Sequence, residues 1–220
     1  MELYEILNNL NLGIEITAFV FAILIFSKGK RDQEFKLLLV FLMISVFVEG
    51  TSTFLHYFRN ITGIQNVLGV YNIYDLVSFC IFFFLYNRLL DNRYQRIIVF
   101  GYLFYLIIVF FESIYFLDIR FENLTISHII ASLFLSIIVF FYFVLILSEG
   151  SIGKLINNLY FWFSCGLLLY YVGHIPFRVV INFFTFEETT TFLFFNLTVG
   201  LRIAMFLLIC IGLYRHWSTK

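Results

Sequence analysis

Glu49, Ser52 and His56 lie in the stretch EGTSTFLH, between FKLLLVFLMISVF and YF, in one of the most apolar segments of a 220-residue chain. At 100° per residue, Ser45, Glu49, Ser52 and His56 fall within about 60° of one another on a helix. Such a stripe offers a carboxylate, hydroxyls and an imidazole to one ligand. Further groups sit in equally apolar surroundings: Asp75 with Tyr71, Asn72 and Ser78 in VYNIYDLVS, His174 and Arg178 in GHIPFR, and Arg202. The candidate ligand-binding set is therefore Glu49, Ser52, His56, Asp75, His174, Arg178 and Arg202. Glu49 and Asp75 would accept a proton or cation. The arginines would hold an anionic group or balance those carboxylates, and the histidines can change charge at about pH 5 to 8.

The elements that carry these residues follow from composition. Hydrophobic residues make up 62% of the chain and charged residues 13%, and mean hydropathy is +0.96. That describes an all-α polytopic membrane protein. Crossing the hydrocarbon layer takes about 20 apolar residues, and seven runs qualify: about 12–27, 36–58, 67–88, 97–117, 126–148, 156–183 and 191–213. The first follows Glu2 and Glu5 and precedes Lys28, Lys30 and Arg31, the reverse of a cleavable signal, so it is expected to remain as a helix. With no Pro- or Ser-rich linker, residues 1–220 read as a single seven-helix transmembrane domain.

Orientation follows from the basic residues. Loops one, three and five and the C-terminal tail hold ten Lys or Arg, and the opposite side holds Arg59 and Arg120. The N-terminus is expected outside and the C-terminus in the cytoplasm, across the inner (cytoplasmic) membrane. On that orientation the intramembrane ionisable residues, including Glu15, Glu112 and His128, fall at or outside the midplane. The expectation is a polar cavity open to the outside, since a charge at the bilayer centre costs about 2.5–3.5 kcal/mol and must face inward and pair. Glu49 with Arg202, or Asp75 with Arg178, are candidate pairs. Ser132 and Ser136 continue a helical stripe from His128, and with Ser45 they read as fasteners between helices. The sixth run is too long for a straight crossing, and Pro176, the chain's one proline, is expected to break it. Cys80, Cys165 and Cys210, without C-x-x-C spacing, read as small buried hydrophobes.

Three function classes fit these residues. The first is a pocket for a small external solute, or for a proton or cation, serving transport or sensing. Helices two and six would correspond in a three-plus-one-plus-three repeat, and their ends read LHYFR and GHIPFR. A sensor of this design needs a membrane or cytoplasmic protein partner for its output. Balanced charge, 14 basic against 14 acidic residues, gives no reason to invoke nucleic acid. The second class is an intramembrane metal-dependent hydrolase. Ser52-Thr-Phe-Leu-His56 with Asp75 resembles two motifs of the seven-helix superfamily of alkaline ceramidases and progestin/adiponectin receptors. That resemblance implies a zinc held partly by His56 and Asp75, yet the family's His-x-x-x-His on the seventh helix has no counterpart in TFLFFNLTVGLRIAMF. The third class is a structural or assembly partner without a ligand. The residues favour solute binding over an enzyme, and no cofactor is called for outside the zinc of the resemblance.

Overall fold

The computed structural model describes residues 2–29, 32–58, 68–115, 124–149, 155–184 and 188–218, apart from the side chains of 2–4, 56, 115, 149, 181–183, 188–189 and 191. Arg59 and Arg120, the basic residues expected outside, lie beyond the described set. Seven helices follow in order: α1 Glu2–Ser27, α2 Gln33–Tyr57, α3 Leu68–Leu89, α4 Asn92–Tyr115, α5 Thr125–Glu149, α6 Leu159–Phe183 and α7 Glu188–Ser218. All seven are long and apolar enough to cross a bilayer. Large apolar side chains are exposed along them; on α4 these include Phe100, Leu103, Ile107, Phe110 and Ile114. Such continuous apolar exposure suits lipid rather than water. The chain is a multi-pass integral membrane protein.

Helix ends show why the apolar runs and the helices differ in length. α1 begins well before its apolar run and stops where Gly29 adopts a φ of 103°, the left-handed conformation that glycine enters without a Cβ penalty. α6 starts at an N-cap, with the Asn158 side chain accepting from the Tyr160 amide at 2.9 Å. Pro176 was expected to break this helix, but it lies inside it, and the helix runs on to Phe183. The Asn158 cap removes three residues of the run at the other end. From Leu159 the helix has 25 residues.

The chain divides into two compact units, residues 33–135 and residues 1–32 with 136–220. In the first, α3 packs against α2 and α4. Its core is aromatic: Phe41 meets Phe82 at 4.9 Å between ring centroids, and Phe79 meets Tyr105 and His128 at 5.4 Å each. In the second, α7 packs against α6 and α1. Glycines permit the close approach of α6 and α7. A Cβ on Gly166 would stand 3.0 Å from the Met205 carbonyl oxygen, and one on Gly212 would stand 2.8 Å from Trp162 Cβ. Small residues at such crossings let backbones come together and gain dispersion contact.

Candidate functional site

Helix α2 presents its polar stripe to α3. Ser45 and Glu49, one turn apart and both buried, meet two tyrosines also spaced one turn apart. Tyr74 donates to Ser45 Oγ at 3.3 Å and Tyr71 donates to Glu49 Oε2 at 3.2 Å. Ser52, on the same stripe, is half-buried. His56 belongs to α2, but its side chain lies outside the described set.

Helix α3 turns its other polar residues toward the beginning of α5. Asp75 Oδ2 lies 3.0 Å from His128 Nδ1, and the His128 ring is buried with its edge against Phe79. Three amides of the α5 entry are held by side chains from other helices. Asn72 Oδ1 accepts from Leu124 N at 3.2 Å. Glu112, from α4, accepts from Ile126 N at 2.9 Å and Ser127 N at 2.7 Å. A helix leaves its first amides without internal partners and carries partial positive charge at that end, so a carboxylate there is both cap and counter-charge. The first turn of α5 is thereby fixed, and with it the position of His128.

This arrangement permits specific chemistry. When the imidazole is neutral, the Asp75 carboxylate holds its proton on Nδ1 and leaves Nε2 as the basic nitrogen. When it is protonated, the two form an ion pair. Glu49 accepts from the Tyr71 phenol. The layer can thus hold a proton or a cation between helices, or orient the polar groups of a solute. Ser132 donates to the His128 carbonyl of its own helix at 2.7 Å.

The second unit carries the remaining candidates. Arg202 Nε lies 3.1 Å from Glu15 Oε1, and Asn11 Nδ2 donates to the same oxygen at 2.9 Å. Glu15 is fully buried. This pair joins α7 to α1, and Glu15 is a partner for Arg202 that the candidate set omitted. The signal was available: Asn11 and Glu15 share a helical face at i, i+4. His174 is buried with its ring 5.3 Å from Tyr170, and Arg178 is half-buried. Glu49, Ser52 and Asp75 therefore belong to one unit, and His174, Arg178 and Arg202 to the other.

His128 and Glu112 also stood outside the candidate set. Their roles depend on contacts across 53 and 14 to 15 residues of sequence, which helical periodicity cannot supply. The three cysteines are free and only partly buried. Among the described residues no three His, Cys, Asp or Glu side chains stand close enough to hold a metal ion. That set excludes the His56 side chain. No family model matches the chain, nor does any curated protein or solved structure.

Proposed function

We propose that this integral membrane protein binds a small polar solute or a cation at the layer formed by Glu49, Asp75 and His128, with Ser52 and His56 on the same α2 stripe. Its use is transport or sensing across the cytoplasmic membrane, with the layer reached from outside. The observation that carries this reading is the Asp75–His128 pair, 3.0 Å apart between two membrane-spanning helices, with the imidazole buried and the carboxylate 18% exposed. Ionisable groups there are costly and commonly mark ion or substrate pathways. Other acids of the chain have structural employment, Glu112 on the α5 amides and Glu15 on Arg202. Asp75 faces a second titratable group, His128.

Thermal unfolding of the purified protein, screened against sodium, potassium and a panel of amino acids and sugars, tests the proposal. A bound solute stabilises the fold by about 2.7 kcal/mol at a hundredfold excess over its Kd. The expected outcome is a rise in Tm in the native protein that Asp75→Asn and Glu49→Gln abolish, with their unliganded Tm near native. If no solute shifts the native protein and both variants lower Tm on their own, the layer is a fastener between helices. That second reading is favoured by the hydrogen-bonded rungs Tyr71–Glu49 and Tyr74–Ser45. Stoichiometric zinc in protein purified without chelators would instead support the hydrolase.

A further inference from the structure

A groove runs between α3 and α4, lined by Phe83, Phe84, Asn87, Ile98, Val99 and Tyr102. Phe83 and Ile98 are buried, whereas Phe84 and Val99 are 55% and 48% exposed, so the groove opens toward lipid. Its residues are graded along the membrane normal. Asn87 stands roughly 3 Å from the end of α3 and Tyr102 roughly 15 Å from the start of α4, at 1.5 Å per residue. Asn87 thus stands at the end of the groove beside the short turn between the helices, with its Oδ1 buried and without a hydrogen-bond partner among the described residues, and the apolar lining runs inward.

Arginines stand at that end. Arg88 follows Phe84 by four residues and Arg96 precedes Val99 by three, so each shares a helical face with an exposed edge of the groove. Both are exposed, and neither has an ion-pair partner among the described residues. The third arginine of the turn, Arg93, is 3.6 Å from Asp91 and lies over the Tyr94 ring. Two uncompensated guanidinium groups, an amide at glycerol depth and an apolar channel below match the three parts of one molecule: phosphate, ester-glycerol and acyl chain.

We propose that the α3–α4 hairpin is a binding site for an anionic glycerophospholipid, with the phosphate on Arg88 and Arg96, the glycerol esters at Asn87, and an acyl chain over Phe83, Ile98 and Val99. Basic clusters beside transmembrane helices attract anionic headgroups. The proposal is independent of the Glu49–Asp75 layer.

Native mass spectrometry of the full-length protein, delipidated and then titrated with palmitoyl-oleoyl phosphatidylglycerol or the matching phosphatidylcholine, tests it. One phosphatidylglycerol per chain should be retained in preference to phosphatidylcholine. Removing both charges in Arg88→Gln/Arg96→Gln should weaken retention about 30-fold, from two basic residues at an anionic headgroup. Val99→Trp fills the groove at an exposed position and should also displace the lipid. Lys36→Gln/Arg215→Gln, which removes equal charge elsewhere, should keep it, and glycerol phosphate without acyl chains should not compete. Equal retention of phosphatidylcholine, native-like retention in both groove variants, or equal loss in the Lys36/Arg215 variant would overturn the site. If the double arginine variant does not fold, Val99→Trp alone decides.

Discussion

Glu112 shows how a single intramembrane carboxylate can be spent on architecture. Its two oxygens accept from Ile126 and Ser127 at 2.9 and 2.7 Å. Charge-assisted hydrogen bonds of this length are stronger than neutral ones. Removing the carboxylate would leave two amides facing apolar surroundings. Glu112→Ala is expected to destabilise the protein by about 1–3 kcal/mol, measured by reversible unfolding in mixed micelles, whereas Glu112→Gln should cost less because its carbonyl oxygen still caps one amide. A native-like midpoint for Glu112→Ala would show that the α5 entry is held by other groups. Glu15 has a comparable duty toward Arg202, its buried carboxylate answering a guanidinium that lipid could not accommodate alone.

At the scale of the helix, close approach in the second unit depends on glycine. A Cβ at Gly212 would come 2.8 Å from Trp162 Cβ and 3.1 Å from the Leu159 carbonyl oxygen, which belongs to backbone and cannot swing aside. Overpacking of this kind costs about 1–3 kcal/mol. Gly212→Ala should therefore lower the unfolding midpoint, while Gly50→Ala on α2, where a Cβ meets nothing within 4 Å, should leave it unchanged or raise it. Equal behaviour of the two variants would mean that α6 and α7 do not meet as closely as described. Trp162 is held from a second direction, its indole N–H donating to the Ile156 carbonyl at 2.7 Å, so it has little freedom to yield.

For the whole molecule, seven crossings would place the termini on opposite sides of the membrane, and the distribution of lysine and arginine predicts that the C-terminus is cytoplasmic. A green fluorescent protein fused after Lys220 should therefore be fluorescent, and an alkaline phosphatase at the same position inactive. The opposite pair of results would invert the orientation and place the Glu49–Asp75 layer toward the cytoplasm. It would also move the Arg88–Arg96 turn to the outer leaflet. The arginine turn and the polar layer sit at opposite ends of α3, since Asp75 lies early in Leu68–Leu89 and Arg88 at its close. The two proposed sites are thus separable along one helix.

The amino-acid sequence by itself determined the number of helices and the medium around them, because a continuous apolar run long enough to span hydrocarbon has few other stable states. It also determined the α2 stripe, since residues four apart share a face of a helix wherever that helix packs; Ser45 and Glu49 both turn to tyrosines of α3 for this reason. Partnership was decided only by tertiary structure. Asp75 could be read from the chain as a buried acid, but its pairing with His128 required α3 and α5 to meet at one level and the α5 entry to be fixed by Asn72 and Glu112. Helix ends were decided in the same way, by Gly29 and Asn158 rather than by hydropathy. Periodicity is a property of one helix, whereas a charge pair or a cap is a property of the distance between two segments.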